Sequence, residues 1–245
     1  MVIFMEIMLL VLAYLLGSIP SALIISKVFF NIDIRDYGSH NMGSTNVLRV
    51  LGFRYGIITF IMDAIKAGLI VFLFRINLIP YEVYSHVNPL FYGLAAVIGH
   101  IFPIFAGFKG GKGIACGAGI ILAYAPIHFS IAFIVFITVF IIFKYVSLSS
   151  LSAALSLVVT SFIIPISGKI DVIYIVFVCI IFVIVTLTHR KNIIKLLKGE
   201  ENKITRSNSK PIYNKETINK NDDTSNKHSH KTVIICNKDS KFVKR

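Results

Sequence analysis

The chain has no tryptophan, three cysteines, and few charges: Asp, Glu, Lys and Arg make up 15% of its 245 residues. Each shortage excludes something. Cys116, Cys179 and Cys236 have neither paired nor metal-type spacing, so no disulfide framework or thiolate site is expected. Two of them lie inside apolar runs, where a thiol is usually a small hydrophobe. His40, His86, His100 and His128 form no ligand spacing, so no metal is expected. The scarcity of charge excludes an ordinary soluble domain, in which about a quarter of residues are charged. Basic residues outnumber acidic ones, giving a net charge of +13, but much of this excess lies in the C-terminal tail. The bias reads as cytoplasmic positive charge rather than nucleic-acid binding.

What the chain has instead is hydrocarbon. It is 56% hydrophobic with a mean hydropathy of +0.78, and several uncharged runs approach the ~20 residues that a transmembrane helix needs. The expected architecture is an all-α, polytopic transmembrane bundle of about seven spans. Ile7 to Ser26 is the first, with a break at Gly17-Ser-Ile-Pro20, since proline lacks the N–H of a helical turn. Its flank holds Glu6 and no early Lys or Arg, which argues against a signal peptide. The loop Val28 to Arg54 carries Arg35, Arg49 and Arg54, so it is placed in the cytoplasm and the N-terminus outside.

Tyr55 to Phe74 follows, with Asp63 and Lys66 spaced to pair on one helix face. Arg75 to His86 is an outer loop, and Val87 to Ala106 the third span. Ile114 to Phe143 is uncharged and is divided at Pro126 into Ile114–Tyr124, too short to cross straight, and His128–Phe143. Leu151 to Ile166 and Val172 to Thr188, joined by an outer turn at Ser167-Gly-Lys-Ile-Asp171, complete the set with the C-terminus inside. Residues 1–199 are read as one membrane domain. Residues 200–245 are read as a polar, basic tail too poor in apolar residues to fold alone.

Three polar islands interrupt the hydrocarbon, and in this topology all face the cytoplasm. Gly38-Ser-His-Asn-Met-Gly-Ser-Thr-Asn46, followed by Arg49, offers the hydroxyls and amides of Ser39, Asn41, Thr45 and Asn46 and a bidentate guanidinium. Phe108-Lys-Gly-Gly-Lys-Gly113 offers the cations Lys109 and Lys112. Its glycines, Gly110, Gly111 and Gly113, leave the backbone free to turn its N–H groups toward an anion. A helix starting at Ile114 would add the positive end of its dipole. The spacing is not that of a Walker loop, because Gly113 stands where Ser or Thr is required. The third island, His189-Arg-Lys-Asn192, puts His189 and Asn192 on one face of a continuing helix, with His189 a candidate general base. Ser147, Ser149 and Ser150 could bond substrate or cap the next span. Singly, each island has an ordinary alternative as a capped loop, a basic turn or an interfacial histidine. Together on one face they point to phosphate binding.

These motifs, in this order and with Gly17-Ser-Ile-Pro20, Gly99-His100 and Tyr145-Val-Ser-Leu-Ser-Ser150, resemble the bacterial membrane-integral glycerol-3-phosphate acyltransferases that use acyl phosphate as donor. The resemblance runs from about Ile7 to Lys203. It implies a seven-helix enzyme of the bacterial plasma membrane with its active site at the cytoplasmic face. The reaction implied is acylation of the 1-hydroxyl of sn-glycerol 3-phosphate, giving lysophosphatidate and phosphate in phospholipid synthesis. The partners implied are acyl phosphate, glycerol 3-phosphate, membrane lipid and an upstream enzyme that forms acyl phosphate, with no cofactor. Carried over residue by residue, the site would comprise Ser39, Asn41, Thr45, Asn46, Arg49, Lys112, Ser147 or Ser150, His189 and Asn192. His40 stands where Gly is usual, Ser44 where Ala is usual, Cys116 where Thr or Ser is common, and Lys144 where Arg is common.

The chemistry suits these residues. Acyl phosphate carries its own leaving group, so cations, N–H groups and hydroxyls that orient two phosphates suffice, and no Ser-His-Asp set is present. The rival reading is a transporter or flippase for an organic phosphate. It predicts polar sites near mid-membrane and an inverted repeat, and neither shows.

Overall fold

The computed structural model describes residues 1–80, 84 and 86–204. The expected disorder of the tail from 205 onward, and part of the outer loop before His86, lie outside these residues. Among the described residues there are ten α-helices and no strand beyond an isolated bridge between Ile166 and Lys169. In chain order they are α1 (Val2–Gly17), α2 (Ser21–Phe30), α3 (Ser44–Leu51), α4 (Phe53–Arg75), α5 (Pro89–Ile101), α6 (Ile114–Tyr124), α7 (Pro126–Phe143), α8 (Val146–Ile163), α9 (Val172–Thr188) and α10 (Arg190–Leu197).

Five stretches are long and apolar enough to cross a membrane: Val2–Phe30 taken through its break, Phe53–Arg75, Pro89–Ala106, Pro126–Phe143 and Val146–Ile163. A sixth is reached if α9 and α10, bent by 63°, count together. The remaining expected span, α6, has 11 residues. At ~1.5 Å per residue it covers about 16 Å, half of a hydrocarbon core. Each of the seven expected segments thus has a helical counterpart, and one of these cannot cross straight.

The breaks fall where the backbone chemistry requires them. Pro20 ends α1, and Ser18 turns its hydroxyl back to the Tyr14 carbonyl at 2.8 Å. Pro126 starts α7 at a position where no N–H is needed, with Ala125 non-helical before it. The helices then pack by backbone approach, as expected where lipid gives no hydrophobic drive. A Cβ at Gly119 would fall on the Ala64 carbonyl, and one at Gly68 on that of Gly119, so α4 and α6 touch along their backbones. The buried core around this contact, shared with α5 and α9, holds Tyr92, Tyr174, Phe74, Leu90 and Ile120. In contrast, only 11% of α7 is buried, which leaves its Ile and Phe side chains as a lipid-facing surface.

At one end of the bundle Arg75 donates to the last carbonyls of α6, Ala123 at 2.9 Å and Tyr124 at 2.6 Å. There too Asp171 caps α9 through the Tyr174 N–H and accepts from Tyr124 Oη. The polar islands gather at the other ends of these helices.

Candidate active site

The glycine loop begins where α5 ends. Gly107 and Phe108 both take positive φ, 64° and 59°, and turn the chain back on itself. The Gly111 N–H then donates to the His100 carbonyl at 3.1 Å. Gly113, at φ 84°, makes the last turn into α6, which starts at Ile114 as the sequence predicts. This puts Lys112 at the tip of the loop, its carbonyl held by the Thr188 hydroxyl at 3.2 Å. Lys112 Nζ donates to Asn192 Oδ1. Asn192 can reach it because the helix bends at His189, so α10 folds its first turn over the end of α9.

Sequence reasoning missed the next residue. Glu201, expected in the tail, is buried, and its Oε1 accepts from Asn192 Nδ2 at 2.8 Å and from Ser147 Oγ at 3.0 Å. Its neighbours hold it there. The Asn202 carbonyl accepts from Arg49 Nη2 at 3.3 Å, Lys203 Nζ lies 5.3 Å over the Tyr145 ring, and the Ile204 N–H donates to the Lys144 carbonyl at 3.0 Å. Residues 201–204 thus pack on the membrane unit. The one available signal was Gly199, a glycine after an amphipathic helix. Its φ of 69° reverses the chain after α10.

The site is a small cluster of cations around one carboxylate. Burial pushes the Lys112 ammonium down to about 8; Arg49 and Lys195 push the same way, and the Glu201 charge opposes them. Burial also lowers the Arg49 pKa, again opposed by Glu201. His189 Nδ1 lies 2.9 Å from the Val185 carbonyl. A carbonyl can only accept, so Nδ1 carries the proton and Nε2 keeps its lone pair. Burial, then the Lys112 charge, hold this imidazole near 4 despite that bond. The histidine is thus a neutral acceptor at physiological pH, close enough to feel the Lys112 charge. Such an arrangement can hold a phosphate and receive a proton.

The first loop contributes less directly than its composition suggests. Asn46 is buried and spends its side chain on the loop itself: Oδ1 accepts the Ser39 N–H at 2.8 Å, and Nδ2 donates to the carbonyls of Ile34 and Tyr37. Asn41 Oδ1 accepts the Gly43 N–H, an Asx turn. Both side chains bond within the loop and shape it. Ser39 is exposed and Thr45 half-buried, and Arg49, one turn into α3, is the group of this island that reaches Glu201's segment.

His40 sits at φ 56°, which explains why glycine is usual there, and its Nδ1 approaches the Arg35 carbonyl at 2.9 Å. Lys109 is exposed and parts company with Lys112. It lines a separate open cleft with Gly110, Arg35 and His40, where Asp33 and Asp36 balance the charge. Among the serines, Ser147 joins the cluster, and Ser149 bonds its own helix at the Tyr145 carbonyl. Ser150 is buried nearby.

Fold and site together define a multi-pass helical membrane protein with a partly buried cluster of basic and polar side chains at one end of its bundle. The sequence profile of the glycerol-3-phosphate acyltransferase family matches residues 7–199, and the chain belongs to that family. It is similar to glycerol-3-phosphate acyltransferase 2 of Bacillus anthracis, 42% identical over 200 residues covering 82% of this chain and 100% of that one. It is 46% identical to glycerol-3-phosphate acyltransferase of Listeria monocytogenes serotype 4a (strain HCC23) over 201 residues, 81% of this chain and 96% of that one. The crystal structure of PlsY, an integral membrane glycerol 3-phosphate acyltransferase, in its glycerol 3-phosphate form superposes with a TM-score of 0.73 at 36% identity. It covers 82% of this chain and 96% of that one. The lysophosphatidic acid form gives 0.72 at 34%, covering 83% and 97%.

Proposed function

We propose that this protein transfers an acyl group from acyl phosphate to the 1-hydroxyl of sn-glycerol 3-phosphate, releasing inorganic phosphate and lysophosphatidate. The observation that carries the proposal is the convergence of Lys112, Asn192 and Ser147 around buried Glu201, with Arg49 bonded to the adjacent Asn202, in a member of this family. The glycerol 3-phosphate and lysophosphatidic acid forms of PlsY are a substrate and product pair of this kind.

In the proposed reaction Lys112 and Arg49 hold the phosphate of glycerol 3-phosphate, with Ser147 and Asn192 fixing its oxygens. The 1-hydroxyl oxygen attacks the acyl carbonyl carbon, and the bond from that carbon to the phosphate oxygen breaks. Phosphate leaves with the electron pair. The hydroxyl proton passes to His189 Nε2 or to the substrate's own phosphate. No acyl-enzyme forms, so the protein's work is orientation and charge stabilisation. Ser39, Thr45 and Ser150 line the approach, and the glycine loop supplies backbone around Lys112.

The proposed topology has seven spans with the N-terminus outside and the site at the cytoplasmic face of a bacterial plasma membrane. Its support is the basic residues Lys27, Arg54, Lys144, Arg190 and Lys191 at the site end of the bundle. The acyl chain would lie among the apolar spans, and an enzyme that forms acyl phosphate would feed the site. The test is incubation of the purified protein with palmitoyl phosphate and radiolabelled glycerol 3-phosphate, beside Lys112→Ala. Labelled lysophosphatidate from the unmodified protein alone supports the reading. Turnover with acyl-CoA but not acyl phosphate would overturn the donor, and no product with any donor would favour a transporter.

A further inference from the structure

Beneath the glycine loop lies a second polar cluster that the reaction does not use. Asp63 on α4 accepts from Lys66 Nζ at 2.7 Å and from Ser21 Oγ at 2.8 Å, and its Oδ1 lies 3.6 Å from His100 Nδ1. Lys66 also donates to the Ile19 carbonyl at 2.7 Å, in the break between α1 and α2. Asp63 is 2% exposed and His100 7%, so these groups are inside the bundle. A small cavity joins Asp63, Lys66 and His100 to Gly111 of the glycine loop and Met42 of the first loop.

A buried ion pair explains little by itself. Replacing one by apolar residues of similar size is often neutral or stabilising, so pairing alone gives no reason to place Asp63 and Lys66 here. The contact with His100 does. His100 holds the glycine loop twice: its carbonyl accepts the Gly111 N–H, and its ring lies so close to Gly111 that a Cβ there would overlap Nε2. Lys112 is the next residue. The ring therefore touches the loop on one side and approaches the carboxylate on the other, while Ser21 ties that carboxylate to α2 and Lys66, on the same helix as Asp63, links it to the Ile19 carbonyl in the break before α2.

We propose that His100, held by Asp63, is a positioning residue that sets the glycine loop and hence the place of Lys112 in the phosphate site. This rests on the reading of Lys112 as a phosphate ligand. Neither His100 nor Asp63 touches substrate. They act by fixing the loop's backbone, and displacement of the loop weakens phosphate capture while the attacking and leaving groups keep their partners.

The test uses the full chain in detergent or lipid, with KM for glycerol 3-phosphate, kcat and thermal midpoint measured for His100→Ala, His100→Asn and the double variant Asp63→Leu/Lys66→Met. A misplacement of about 1 Å can cost about a hundredfold. His100→Ala is therefore expected to raise KM by about tenfold or more, with kcat changed by about threefold or less. Asparagine places an amide N–H near the position of Nδ1 and should recover most of that KM. The double variant removes both charges, so it should fold, and it should show the same rise in KM; if His100→Ala does not fold, the double variant decides. Unchanged KM in His100→Ala and the double variant, with Lys112→Ala still damaging, overturns positioning. So does His100→Asn as impaired as His100→Ala with an equal fall in midpoint, which would mark a merely structural role. Lys112→Ala without effect overturns the phosphate reading, and the inference with it.

Discussion

Lys112 Nζ donates to Asn192 Oδ1, joining the glycine loop to the turn after the last long helix. The contact brings two distant islands of the sequence to one point and gives the ammonium a fixed direction. Lys112→Ala should lower kcat/KM for glycerol 3-phosphate by about a hundredfold, since a charge-assisted hydrogen bond contributes ~1.5–3 kcal/mol. Lys109→Ala, in the balanced cleft, should change it by about threefold or less, as exposed charges contribute ~1 kcal/mol or under. Steady-state kinetics on both variants checks the separation, and equal losses would contradict the division of the two lysines.

With the Lys112 ammonium brought down to about 8, its charge is present below that pH and is lost as pH rises through it. For the free enzyme, kcat/KM should therefore fall above about pH 8 with a single basic limb. His189, held near 4, is already neutral well below that pH and adds no limb between pH 6 and 8. A profile of kcat/KM against pH tests both statements.

Glu201 supports the Lys112 charge, so removing its own charge should move that limb. In Glu201→Gln the ammonium loses its stabilising carboxylate, its pKa falls further, and the basic limb should shift below about 8. The amide keeps the shape and can still accept from Ser147. A limb that stays in place would show that the carboxylate does not govern Lys112.

Asn46 should matter through stability. Asn46→Ala removes the three hydrogen bonds by which this side chain closes the loop onto Ile34, Tyr37 and Ser39, each contributing about 0.5–1.5 kcal/mol. The thermal midpoint should fall by several degrees, in step with activity. Full activity at an unchanged midpoint would refute the loop-clamp role.

His40→Gly is expected to be tolerated. It relieves a left-handed backbone that costs a non-glycine residue ~1–2 kcal/mol and gives up one exposed hydrogen bond of similar size. Activity and midpoint should stay near those of the unmodified protein. His40→Val, β-branched at the same φ, should lower the midpoint, and a harmless valine would show that this turn carries no strain.

The sequence by itself determined the helical segments, the breaks at Pro20 and Pro126, the pairing of Asp63 with Lys66 and the start of α6 at Ile114, all seen in the structure. These are local properties: hydrocarbon length, a missing N–H, a helical spacing, a glycine before a run of apolar residues. The sequence also singled out Lys112, Asn192, Ser147 and Arg49, which the fold brings together, though not Glu201. What it could not give was how each polar group is spent. Asn46 and Asn41 spend side-chain bonds on their own loop, and Lys109 faces a different cleft from Lys112. Glu201 looks like tail until Gly199 reverses the chain. Only the tertiary structure decides these, because a hydrogen bond is assigned by what lies within about 3 Å, and here those neighbours come from positions far apart in the chain.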